Sequence, residues 1–135
     1  MKKLLLGLCA LWCLSPLAHA QDAPDQMVGY VSLDPEIVTN YISESNNKLG
    51  FIRVTIELMV KDVALLPDVE NHLPLLRSVV IEFLGQQPES KIKSQLGRKD
   101  IELELLQALN SELQVETGTE APIKMLIFTK YLFQQ

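Results

Sequence analysis

Phe51-Ile52-Arg53-Val54-Thr55-Ile56-Glu57-Leu58-Met59-Val60-Lys61-Asp62 places an aliphatic side chain at every second position. Ile52, Val54, Ile56, Leu58 and Val60 alternate with Arg53, Thr55, Glu57, Met59 and Lys61. Successive side chains of a β-strand point to opposite faces, so this stretch predicts a strand with one aliphatic face and one mostly polar face. Ile52, Val54, Ile56 and Val60 are β-branched, which suits a pleated, half-buried surface. Burial of each aliphatic contributes about 1.5–3 kcal/mol before entropy is subtracted. A slip of one residue would turn all five to water, which fixes the register. The rest of the chain has to cover that face.

The first 20 residues do not read as part of the fold. Met1-Lys2-Lys3 is a basic start, residues 4–14 are almost wholly apolar, and Ala18-His19-Ala20 precedes Gln21-Asp22. This is the pattern of a cleavable secretory signal. Ser15, Pro16 and His19 interrupt it short of the roughly 20 apolar residues that a membrane span needs. Cys9 and Cys13 both lie within it, so the expected mature chain has neither disulfide nor thiol chemistry. Lipidation of either cysteine would need small residues just before it, which Leu6-Gly7-Leu8 and Ala10-Leu11-Trp12 do not supply. Loss of Lys2 and Lys3 takes the formal net charge from -5 to -7. An acidic surface repels phosphate backbones, which argues against nucleic-acid binding. The 115 residues that remain suit one exported domain with a modest core.

Residues 21–27 read as a polar linker broken by Pro24. Residues 27–33 predict a short strand, Asp34-Pro35 a turn, and residues 37–42 a second strand that pairs as a hairpin with residues 51–61. A helix follows Leu65-Leu66-Pro67, with Asp68 as its N-cap and Val69, Leu73, Leu76, Val80 and Phe83 as its apolar stripe. Pro74 predicts a kink or a true start near His72 and Leu73, and Gly85 is the expected C′ residue. Residues 91–96 read as a short helical turn, separated by Gly97 from a last helix over 98–113. Ile101, Leu105, Leu109 and Leu113 form its inner stripe, widened by Leu106. Residues 114–122 read as a turn, and 123–134 as a long final strand, apolar on both faces. Met125, Ile127, Tyr131 and Phe133 fall on one face, and Leu126, Phe128 and Leu132 on the other. That composition suits a central strand or one with a partner on its second face. The order predicts an α+β fold, a mostly antiparallel sheet with two to three helices on one face.

Catalytic and metal-binding patterns do not emerge. His72 is the one histidine of residues 21–135, without a second ligand type at metal spacing, and reads as a surface or capping residue. Glu102 and Glu104 stand two apart on a helix, so they diverge by about 200° and cannot flank one substrate. Asn110 is the odd polar group in an otherwise regular helix, and bonding to a neighbouring loop's backbone explains it better than a ligand does. The glycines never cluster into a phosphate loop, and no serine stands in a G-x-S-x-G context. The residues therefore offer no catalytic, cofactor or metal site. Composition and pattern reach an exported α+β binding or structural domain.

Five segments in order carry a resemblance. Asp34-Pro35-Glu36-Ile37-Val38-Thr39-Asn40, with a proline before a β-branched run ending in Asn, resembles the opening strand motif of the FliL family of flagellar basal body-associated proteins. Residues 53–60 resemble the family's main strand. Residues 73–84 resemble its P-x-(I/L)-R-(D/S) helix. Gly97-Arg98-Lys99-Asp100-Ile101, with Leu105, Leu109 and Asn110, resembles its G-(K/R)-E-x-L helix, although the charge order after Arg98 differs. Residues 128–134 close as its (F/Y)-(T/S)-x-(F/Y)-x-(I/V/L)-Q strand closes. The resemblance spans residues 28–134, and it implies a fold similar to stomatin-type domains that form rings. It also implies a non-enzymatic periplasmic domain that self-associates and contacts flagellar stator or basal-body proteins. Family members carry a transmembrane helix where this chain shows a signal-like segment. The rival expectation is a soluble periplasmic module for a hydrophobic ligand or an envelope protein.

Overall fold

The computed structural model describes residues 27–44 and 49–134. The expected signal segment, residues 21–26 of the linker and residues 45–48 of the loop before the main strand lie outside the described residues. The described chain forms β1 (Gly29–Ser32), β2 (Ile37–Tyr41), β3 (Gly50–Val60), a 3-10 turn (Val63–Leu65), α1 (Leu66–Asn71), α2 (Leu73–Gly85), α3 (Glu89–Lys93), α4 (Gln95–Thr117) and β4 (Ile123–Gln134). It is a mixed α+β fold with an antiparallel sheet, as its segment order implied.

The alternating stretch is the centre of that sheet. β1 and β2 both pair with one edge of β3, and β4 pairs with the other, all antiparallel. Ile52, Val54, Ile56, Leu58 and Val60 are at most 1% exposed. They meet Val69 of α1, Leu76, Val80 and Leu84 of α2, Ile92 of α3 and the stripe Ile101, Leu105, Leu109 and Leu113 of α4 in one cluster. The expected hairpin of residues 37–42 with 51–61 is present, in register from Ile37↔Val54 to Tyr41↔Gly50. Asp34-Pro35 does not reverse the chain. Residues 34–36 step out of line between Leu33, whose N–H donates to the Ile56 carbonyl, and Ile37, which pairs with Val54. The peptide bond there is cis. Arg77 of α2 donates to the carbonyls of Leu33 and Pro35 and pins this excursion to the helix.

Several boundaries differ from expectation for identifiable reasons. Asp62, not Asp68, is the cap: its carboxylate accepts from the Ala64 N–H and starts the 3-10 turn, leaving Asp68 in the first turn of α1. The kink lies at His72, and Pro74 occupies the first turn of α2, where its missing N–H costs nothing. Gly85 is the last residue of α2 rather than a left-handed C′ glycine. Right-handed turns, with Gln86 N–H to Phe83 O and Gln87 N–H to Leu84 O, satisfy the final carbonyls instead. The short helix begins at Glu89, directly after Pro88, and Gly97 lies within the first turn of α4. Ser94 caps that helix by accepting from Gly97 N–H at 2.8 Å. A Cβ at position 97 would stand 2.1 Å from the Lys91 carbonyl oxygen, so glycine is there for close approach, not as a break. α4 runs on through residues 114–117, part of the expected turn, and stops at the left-handed Gly118 (φ 73°).

The final strand is not central. β4 lies at the sheet edge, and its register shifts between Thr55 and Ile56. Ile56 pairs with Phe128 but Thr55 with Lys130, so Thr129 is an extra residue, a β-bulge. The bulge switches faces: Leu126 and Phe128 point to the core before it, and Tyr131 and Phe133, opposite Val54 and Ile52, do so after it. Leu132 is thereby moved to the face that Met125 and Ile127 share.

Candidate interaction surface

The face of the sheet away from the helices is built from the alternate positions of all four strands. Cross-strand partners share a face. Val38 and Leu132 both stand opposite Arg53, and Phe51 stands opposite Gln134. Val38, Phe51 and Leu132 are 55%, 45% and 53% exposed and line a cavity of about 160 Å³ with Arg53 and Gln134. At the other end Tyr30, Met59 and Met125 form one row across the sheet, beside Ile127. Between these apolar ends the Glu36 carboxylate bridges Arg53 at 3.3 Å and Lys130 at 2.8 Å. Exposed pairs of this kind contribute little to stability, roughly 0–1 kcal/mol each, but they fix where charge sits. The surface carries two apolar patches around a small ion network.

The free edge of β4 is managed by α4. Even-numbered residues of β3 bond toward β1 and β2, as the Leu33–Ile56 hydrogen bond shows, so its odd-numbered residues bond toward β4. The register then turns the backbone groups of Ile123, Leu126, Phe128, Tyr131 and Phe133 outward. Asn110 meets the first of these: its Oδ1 accepts from Ile123 N–H at 2.9 Å and its Nδ2 donates to Ile123 O at 2.8 Å. The side-chain amide takes the place of a neighbouring strand. Arg98 donates to Phe128 O at 3.3 Å while its guanidinium stacks over Tyr131, 4.8 Å from the ring centroid. Tyr131 donates its hydroxyl to Ile92 O at 3.0 Å, and burial pushes its pKa up to about 12 against the opposing pull of Arg98.

A second polar centre joins the loop after β2 to α3. Glu89, 7% exposed, accepts from Lys93, from Glu44 N–H at 2.9 Å and from Ser43 Oγ at 3.2 Å. The Lys93 bond, followed by the Glu44 N–H, holds the Glu89 carboxyl below the usual carboxylate range. Ile42 and Glu89 exchange further backbone bonds with this turn. Such a carboxylate positions a loop; it is not poised for proton transfer.

The residues weighed from sequence separate cleanly. His72 Nδ1 lies 2.6 Å from the Asp68 carbonyl, within its own helix turn. Glu102 pairs with Lys99 and Glu104 with Lys91, so the two acids serve different partners. Asn110 has the backbone role expected of it, toward a strand rather than a loop. No group of three His, Cys, Asp or Glu side chains among the described residues is placed to hold a metal ion. No helix of the described residues is long and apolar enough to cross a membrane. Sequence reasoning missed Arg98, Glu36 and Glu89. Only Glu89 carried a local signal, an acid straight after Pro88 where a helix can start.

Comparison with known proteins bears on the whole described fold. A family model described as flagellar basal body-associated protein FliL matches residues 30–134. The chain is also similar to the flagellar protein FliL of Aquifex aeolicus (strain VF5), 25% identical over 112 residues. That alignment covers 83% of this chain and 65% of the relative, so the chain spans less than two thirds of that relative's length.

Proposed function

The chain belongs to the FliL family, and from that premise we propose that it is a non-enzymatic accessory of the flagellar basal body, acting through protein contacts beside the stator units. The observation that carries this reading is the family match over residues 30–134, which takes in every strand except the first residue of β1. The open sheet face supports it. Two exposed apolar patches on a rigid sheet are the kind of surface that protein partners cover. In this reading residues 1–20 are removed on export, the rest works in the periplasm close to the inner membrane, and copies associate with one another in the manner of stomatin-type domains.

A small-molecule role fits less well. Ligand cavities run to about 300–1,000 Å³, whereas the cavity on the open face is about 160 Å³. The test is a deletion strain complemented with a fluorescent fusion at Gln135. Reduced swimming or swarming together with fluorescence at flagellar bases is the expected result. Normal motility with an even envelope signal would assign the fold to another task, such as holding an envelope protein.

A further inference from the structure

The outer edge of β4 is closed at two points and open beyond them. Asn110 occupies both backbone groups of Ile123, and Arg98 occupies the Phe128 carbonyl. After the bulge at Thr129, the N–H and C=O groups of Tyr131 and Phe133 face outward, and nothing among the described residues bonds them. The burial of β4 changes at the same place: Ile123, Leu126 and Phe128 are buried, and no later described residue of the strand is. An unpaired edge of this kind is a template for one more strand.

The two faces beside this open stretch differ. On the helix face a groove of about 130 Å³ lies between β4 and the turn that joins α3 to α4, with Arg98, Tyr131 and Phe133 in its lining. Lys91, Lys93 and Lys99 are engaged by Glu104, Glu89 and Glu102, whereas no carboxylate among the described residues pairs with Arg98. Its guanidinium stacks 4.8 Å from the Tyr131 ring centroid and gives one donor to Phe128 O. It therefore stands at the head of the open stretch with its other N–H groups free to meet a carboxylate. On the opposite face Leu132 is 53% exposed. A strand laid along Tyr131 and Phe133 alternates its side chains between these two surroundings. A carboxylate on its helix face meets Arg98, and an aliphatic neighbour on its other face covers Leu132. Ligand cavities begin at roughly 300 Å³, so the groove takes a side chain rather than a separate small molecule. A second copy fits poorly, because pairing two β4 edges brings one Arg98 toward the other.

We propose that the open edge of β4 binds an extended segment of another protein, with main-chain bonds to Tyr131 and Phe133 and an Asp or Glu side chain on Arg98. The proposal rests on the reading of the chain as an accessory that acts through protein contacts, and gives one such contact a place and a chemistry. The probe is a capped hexapeptide, Thr-Val-Glu-Val-Tyr-Thr, titrated into the isotope-labelled, full processed chain. The amide resonances of Tyr131 and Phe133 should shift, and their hydrogen exchange should slow. A peptide with Lys in place of its Glu should bind about tenfold more weakly or worse. Arg98→Glu, with its fold checked by circular dichroism, should reverse that preference. N-methylation of one alternate set of peptide amides should abolish binding and that of the other set should not, since only alternate residues of an added strand bond toward β4. No shift at about 1 mM peptide, equal binding of the two peptides, or the two N-methylated sets behaving alike would overturn the proposal, and all three are read on the wild-type chain. Shifts at Tyr131 and Phe133 on raising the protein concentration alone would assign the edge to a second copy, and overturn it too. Motility separates the two readings. A deletion strain that swims poorly, with a chain that ignores the peptides, rejects only the edge contact. Normal motility of the deletion strain, with charge-dependent peptide binding in vitro, rejects only the motor role.

Discussion

Asn110 shows how one side chain can close a sheet edge. It replaces two main-chain bonds at Ile123, which is 2% exposed, so removing it strands a buried N–H and a buried carbonyl. Each such group costs about 1–3 kcal/mol. Asn110→Ala should therefore destabilise the protein by about 2–4 kcal/mol in urea unfolding. Gly97→Ala should also destabilise, because the added Cβ collides with the Lys91 carbonyl and the Ser94 hydroxyl that caps α4. A thermal melt of each variant checks both expectations. The oddity of Asn110 was legible in the sequence, since it interrupts a regular helical pattern. The role of Gly97 was not: glycine reads equally as a break or as a close approach, and only the position of Lys91, six residues earlier, decides between them.

At the scale of elements, the alternating strand was readable in full and β4 only in part. Period-2 alternation is a local property, and it returned the five core positions of β3. The pattern grouped the apolar residues of β4 wrongly, Tyr131 and Phe133 with Met125 and Ile127, because the extra residue Thr129 breaks its period, and a bulge leaves no mark in composition. The bulge predicts opposite outcomes for two similar substitutions. Leu126, opposite Leu58, is 1% exposed, so Leu126→Asp buries an unpaired charge and should cost about 4 kcal/mol or more, preventing folding. Leu132 stands opposite Arg53 on the open face, so Leu132→Asp should cost about 1 kcal/mol or less. If that face binds a partner, the Leu132 variant keeps its circular dichroism spectrum and fails to restore motility. A folded Leu126 variant or an unfolded Leu132 variant would show the register to be otherwise.

At the scale of the whole molecule, the order of elements and the single core follow from local patterns, whereas the ties between distant elements do not. Tyr131 to Ile92, Arg98 to Phe128 and Glu89 to Glu44 join segments whose proximity depends on the finished fold. These ties shape stability against pH at both ends. The Glu89 carboxyl is held below its ordinary pKa by Lys93 and the Glu44 N–H, so its contribution is complete above the unfolded value of about 4.3 and is lost as pH falls through the lower folded value. Glu89→Gln should lower stability at neutral pH and flatten that acid limb. The alkaline limb has the opposite origin. With the Tyr131 pKa pushed up to about 12, the unfolded chain loses this proton near pH 10 while the folded chain keeps it. The native state then binds more protons than the unfolded state between those values, so stability falls as pH rises through the window. Burial raises the Tyr41 pKa in the same sense, and the Glu89 partner raises that of Lys93. Tyr131→Phe should therefore make the alkaline fall shallower without abolishing it, at the cost of the hydrogen bond to Ile92, about 1 kcal/mol at neutral pH. Urea midpoints of wild type and variant from pH 7 to 11.5 decide the matter: converging curves match a buried phenol, and parallel curves mean that Tyr131 titrates as though exposed.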